Sequence, residues 1–182
     1  LVDLERVREI GTLERLAIRL PECVGSPLSL NSLREDLEVT HQSVSRWVTM
    51  LENLYYLFRI YPFGSPKLRA VKKEAKHYHF DWTLCKDPAA RFENLVACHL
   101  LKWCHFQEDA KGWDMELRYF RNVDKKEVDF VVMKEQQPVM FVECKSSKKD
   151  IHPALTYLSK CYPSVPCAQL SRSGDFDLTN SQ

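Results

Sequence analysis

The chain has 182 residues, 45% apolar and 28% charged, with a formal net charge of +1, which is the composition of one large or two small folded domains. Bulk charge predicts neither nucleic-acid nor membrane binding, so only local patches can supply either. No apolar run approaches the roughly 18–20 residues of a membrane span, no signal peptide is visible, and a membrane is not an expected partner.

In chain order, Val2 to Leu20 shows helical spacing at Leu4, Val7, Ile10, Leu13, Leu16, Ala17 and Leu20, and stops at Pro21. After Gly25-Ser26-Pro27, a short helix is predicted over Asn31–Leu37 and a turn at Glu38-Val39-Thr40, with Thr40 as N-cap. The next helix, His41 to about Tyr55, is expected to bury Val44, Val48, Leu51 and Tyr55 and to present Gln42, Ser45, Arg46 and Thr49 outward. Two short helices across a tight turn, the second with small polar residues and an arginine outward, match a helix-turn-helix reader. Phe58–Pro62 and His77–Phe80 are the expected wing strands. Between them, Lys67, Arg69, Lys72, Lys73 and Lys76 face the single acid Glu74. Such a basic loop suits phosphate contacts; a winged helix used for protein contact is the alternative.

His77-x-His79 with Cys85 has loosely metal-like spacing, against which stands a strand histidine pair with a core cysteine. The seven cysteines show no Cys-x-x-Cys spacing and suit reduced, packing thiols in a cytoplasmic protein better than a disulfide framework.

The next helix begins at Pro88 and runs to about Cys104. On its wheel the positions nearest Glu93 are Leu100, Cys104, Ala97, Ala89 and Val96, so a carboxylate points from the middle of an apolar stripe, where an unpaired charge is costly. Strands follow at about Glu116–Arg121, Glu127–Met133 and Val139–Lys145. A helix at about 151–162 and a strand near Cys167–Leu170 complete an α-β-β-β-α-β order, and residues 171–182 form a polar tail. With the hairpin turn centred on Gln136, Asp129 falls opposite Glu143, and Glu127 opposite Lys145. Opposed residues have Cβ atoms about 4.5–5.5 Å apart, and two carboxylates that close repel unless a proton or cation separates them. A hard divalent ion such as Mg²⁺ relieves that repulsion. The plain alternative is a cross-strand Glu127–Lys145 salt bridge. Val128, Phe130, Val132, Met140, Val142 and Cys144 are the expected core face.

A helix glutamate, a strand aspartate and a strand ending Glu-x-Lys resemble the PD-(D/E)XK nuclease superfamily. Glu93 corresponds to the helix acid, Asp129 to the first-strand acid, and Glu143 and Lys145 to the Glu-x-Lys pair. The stretches Arg91–Val96, Tyr119–Arg121, Glu127–Phe130 and Val142–Ser147 further resemble the C-terminal region of predicted prokaryotic AAA+ ATPases, over about residues 25–170. Cys144 stands where the related domains usually carry valine. No Gly-x-x-x-x-Gly-Lys-Ser/Thr loop is present among only five glycines, and the chain opens at Leu1 in mid-helix pattern. The expectation is therefore a C-terminal piece of a longer ATPase, with ATP bound only in the part upstream.

The fold expected from this resemblance is α+β: a lead-in helix and winged helix over 1–80, then a restriction-endonuclease-like mixed sheet flanked by helices over 81–170. The resemblance implies a Mg²⁺-dependent nuclease, Mn²⁺ being an acceptable substitute. Asp129 and Glu143 would hold metal, and Glu93 would complete the shell or position a water. Lys145 would stabilise the transition state or help deprotonate the water. DNA and the chain's own ATPase domain are the implied partners, and a homo-oligomer is compatible. A catalytically silent module that binds DNA or protein to target the ATPase is the second reading.

Overall fold

The computed structural model describes residues 2–64, 75–122, 126–147 and 150–173, with side chains from residue 9 onward. Helix α1 (Val2–Arg19) runs into a 3₁₀ turn at Leu20–Cys23. Helix α2 (Leu30–Leu37) starts where the Ser29 hydroxyl accepts the Ser32 N–H, and ends at Glu38 in the left-handed region, φ 55°. Helix α3 (His41–Asn53) is capped by Thr40, which accepts the Ser43 N–H as expected from sequence. Val44, Trp47, Val48 and Leu51 of α3 pack with Leu16, Leu20, Leu33 and Leu37 into one helical core.

Tyr55 is not in that core. The helix stops at Asn53, Tyr55 takes φ 57°, and the residue is 75% exposed. The left-handed residue breaks the helical spacing that pointed it inward, and Trp47 fills the core instead.

Strands β1 (Leu57–Pro62) and β2 (Lys76–His79) pair antiparallel. Helix α4 (Pro88–Lys111) begins with the Asp87 carboxylate accepting the Ala90 N–H and Pro88 in the first turn, and ends at Gly112 with φ 68°. Then follow β3 (Met115–Arg121), β4 (Glu127–Lys134), β5 (Gln137–Lys145), α5 (Pro153–Cys161) and β6 (Cys167–Ser171). The strands form one mixed six-stranded sheet in the order β2-β1-β3-β4-β5-β6. The hairpin expected as a wing is thus continuous with the larger sheet, through parallel pairing of Tyr61 and Pro62 with Arg118 and Tyr119.

Helices cover both faces of the sheet. On one, Val96, Ala97 and Cys104 of α4 pack on Tyr78, Leu117, Phe130, Val132 and Val142. On the other, Ala154, Leu155 and Leu158 of α5 pack on Val128, Val131, Met133 and Phe141. Val128 therefore lies opposite the face expected for it, because β4 carries an extra residue. Arg118 pairs with Val131 but Phe120 with Val128, so Asp129 and Phe130 together oppose one residue of β3. A bulge of this kind re-aims side chains.

The N-terminal helices are tied to the sheet by buried polar contacts. His77 Nε2 lies 2.9 Å from the Leu20 carbonyl, and His79 Nδ1 lies 3.2 Å from that of Tyr56. The His77-x-His79 pair is structural, and burial pushes His77 down to about 4, so it is neutral near pH 7. Asn94, fully buried on α4, accepts the His79 N–H at 2.8 Å and donates to the His79 carbonyl at 2.7 Å. Asn94→Ala strands both backbone groups and should cost about 2–4 kcal/mol in urea unfolding. A loss under about 1 kcal/mol would mean that water replaces the amide.

Candidate functional site

Beyond the Phe130–Val142 pair the β4–β5 ladder forks. In place of backbone bonds, the Asp129 Oδ2 accepts the Cys144 N–H at 2.8 Å, and the Asp129 N–H donates to Glu143 Oε2 at 3.3 Å. Each acid thus engages the other strand's backbone, and the fork holds them beside each other. The sequence expectation of Asp129 opposite Glu143 continues the observed register.

The shared face does not survive. Because of the β4 bulge, Asp129 reaches the α4 side, where its Oδ1 lies 3.8 Å from Lys76 Nζ. Glu143 follows Phe141 to the α5 side, where it pairs with Lys145 and lies 3.6 Å from His152 Nδ1. The acids form two groups joined through Asp129. On the α4 side stand Glu93, Glu127 and Asp129; on the α5 side stand Glu143, Lys145 and His152.

Lys76 organises the first group. Its side chain is fully buried, and Nζ lies 3.7 Å from Glu93 Oε1, 2.5 Å from Glu127 Oε1 and 3.8 Å from Asp129 Oδ1. The expected Glu127–Lys145 bridge is therefore replaced by Glu127–Lys76 and Glu143–Lys145. Lys76 likewise does not belong to a solvated basic loop; strand pairing in β2 carries it inward. Tyr78, two residues on and so on the same strand face, donates its hydroxyl to Glu93 Oε1 at 2.7 Å. Gly25 closes the other side. Its φ is +87°, and a Cβ there would stand 3.1 Å from Glu93 Oε2, so glycine is required for both conformation and space.

Negative charge is in excess. Glu93, Glu127, Asp129 and Glu143 are four acids against Lys76, Lys145 and Arg121, the last 3.7 Å from Glu127. Burial, then the Asp129 charge, pushes Glu93 up to about 7, and the same causes push Glu143 up to about 7. Asp129 is raised too, by burial first. Burial opposes the charge on Lys76, but Glu93, Asp129 and Glu127 together outweigh it and hold the ammonium above its ordinary value. Burial and Lys145 lower His152, which favours the neutral ring.

The donor set, all carboxylate oxygen and over-rich in negative charge, fits a hard divalent cation. Among the described residues, no three His, Cys, Asp or Glu side chains stand ready to hold one ion as arranged. A lysine ammonium already stands between Glu93 and Asp129.

Of the residues expected to meet nucleic acid, Gln42, Arg46 and Thr49 are exposed on α3 and Ser45 is half-buried. Arg46 pairs with Glu9 of α1 at 3.0 Å. Lys67, Arg69, Lys72 and Lys73, with most of the expected basic wing, lie outside the described residues. Lys76, Tyr78, Gly25 and His152 were missed as site residues. The available signal was Lys76-x-Tyr78, a lysine and a tyrosine on one face of a strand whose other face carries His77 and His79.

Among the described residues no helix is long and apolar enough to cross a membrane. No curated protein and no solved structure matches the chain. Residues 1–90 match the family model of a domain of unknown function, DUF8612. Residues 89–177 match that of a second domain of unknown function, DUF4143, a domain found in C-terminal regions associated with AAA-type ATPases.

Proposed function

We propose that the sheet with α4 and α5 is a PD-(D/E)XK nuclease-like module that cleaves phosphodiester bonds with Mg²⁺ or Mn²⁺, and that α2, α3 and the β1–β2 hairpin act as a DNA-binding winged helix. The observation that carries this reading is the fork, where Asp129 and Glu143 replace the backbone ladder beside Lys145. Strands that separate to present two acids and a lysine sacrifice ladder bonds that an ordinary hairpin keeps. Asp129 and Glu143 would hold the ion, with Glu93 as the third acid. A bound divalent ion supplies charge neutralisation at the phosphate and a more acidic water. Lys145 stands beside Glu143 to offset charge on a phosphate oxygen, and Tyr78 fixes the Glu93 carboxylate by its hydroxyl. The partner in this reading is an AAA-type ATPase that gates access to DNA.

Incubation of the chain with supercoiled, linear and branched DNA in Mg²⁺ or Mn²⁺ tests the proposal. Nicked or cut product is expected, and DNA left whole by protein with metal bound would refute it. The second reading, a silent nuclease-fold module, is favoured by one specific observation: the Lys76 ammonium lies where a cation between Glu93 and Asp129 would lie.

Duplex binding should weaken as salt rises, since phosphate contacts release counterions. Arg46→Ala should weaken binding across sequences and lower the salt slope by about 1. An unchanged slope with unchanged affinity would assign the α3 face to protein contact, of which the Arg46–Glu9 pair is an intramolecular instance.

A further inference from the structure

We propose that Lys76 is a built-in counter-ion which competes with divalent metal for Glu93 and Asp129, so that loading the site with metal requires its ammonium to be displaced. This rests on the metal-dependent reading above and adds its regulation.

The Lys76 side chain has no exposure, and its Nζ reaches carboxylates from two elements: Glu93 on α4, and Glu127 and Asp129 on β4. Fully burying a lysine is rare unless it is paired, and here it is paired with the very groups a metal would need. A lysine and a divalent ion cannot both sit within about 4 Å of the same two carboxylates without strong mutual repulsion. The ammonium neutralises the acids in the absence of metal and must yield when metal enters.

Backbone pairing ties the lysine to the helical unit. The Leu28 N–H donates to the Ala75 carbonyl at 2.8 Å, and Pro27 bridges to Lys76 itself. Two residues earlier, Gly25 lies against Glu93. The segment entering α2 therefore touches both the lysine and one of its acids.

The test is Mn²⁺ binding to the full 182-residue chain, followed by calorimetry and by the paramagnetic signal of free Mn²⁺. Lys76→Met, checked for folding by circular dichroism, should bind at least about tenfold more tightly than the unaltered chain. Adding Asp129→Asn should cancel the gain. If the unaltered chain binds Mn²⁺ and Lys76→Met binds no more tightly, the counter-ion role is overturned while the metal site stands. If neither binds Mn²⁺, both fall. Should Lys76→Met fail to fold, the unaltered chain decides the matter. With ¹⁵N-labelled lysine, the slowly exchanging resonance of the buried Nζ should move to the position of solvated lysines as Mg²⁺ is added. A Lys76 resonance unmoved at saturating Mg²⁺ overturns the proposal.

Discussion

Asp129→Ala should reduce Mg²⁺-dependent DNA nicking by at least about a thousandfold, close to loss of all activity, which corresponds to about 4 kcal/mol of transition-state stabilisation. Asp129 is the one acid that touches both halves of the site. Its Oδ1 faces Lys76 and its Oδ2 holds the Cys144 N–H. Removing it also leaves Glu143 without the neighbour that, after burial itself, raises it most. Lys145→Ala should abolish nicking as well, by a different route. Calorimetry should show metal binding lost in Asp129→Ala but retained or tightened in Lys145→Ala, because the lysine competes for Glu143. Neither change removes a member of the two cores that flank the sheet, so both variants should fold. Equal loss of metal binding in both would mean that Lys145 only holds Glu143 in place and has no separate part in cleavage.

The element order, the cap at Thr40 and the start of α4 at Pro88 were legible because each rests on local chemistry, and the Asp129–Glu143 pairing agreed with expectation as well. The register came out as expected by a route the sequence conceals. The turn is a two-residue one, with Glu135 and Gln136 both left-handed at φ 47° and 64°, a geometry usually signalled by Asn-Gly. Alone it would set the pairing one residue off. The extra residue between the Val132–Met140 and Met133–Pro138 pairs restores the register before the site is reached. The second bulge, at Asp129–Phe130, has no such compensation and turns Asp129 toward α4. Bulges leave hydrophobic alternation nearly intact in sequence, so the assignment of faces failed there.

Lys76 was illegible for another reason. It follows a basic run, and composition assigned it to a solvated loop. Its strand is buried along its whole length, Lys76-His77-Tyr78-His79, because the sheet, α4 and the 25–28 segment all close on it. No periodicity marks a strand buried on both faces when half of its residues are polar. Asn94 was hidden similarly: a short amide inside a helix looks neutral until the strand end it satisfies is known.

Mg²⁺ should stabilise the chain far more at pH 8 than at pH 5.5. Glu93 and Glu143 keep their protons to about 7 when folded but release them near 4.5 when unfolded. The folded state therefore binds more protons between those limits, and stability from these groups falls as pH rises from about 4.5 through 7. Above 7 both are ionised, mutually repelled and available to metal. At free Mg²⁺ a hundredfold above Kd, binding adds about 2.7 kcal/mol, or roughly 5–10 °C in Tm for a chain of this size. At pH 5.5 each protonated carboxylate weakens metal binding by roughly thirtyfold, so the gain at the same Mg²⁺ should shrink to about 2 °C or less. Glu143→Gln should remove most of the gain at pH 8 and thereby most of the pH dependence. Differential scanning calorimetry at constant ionic strength makes the comparison. Equal gains at the two pH values would place the bound ion away from Glu93 and Glu143.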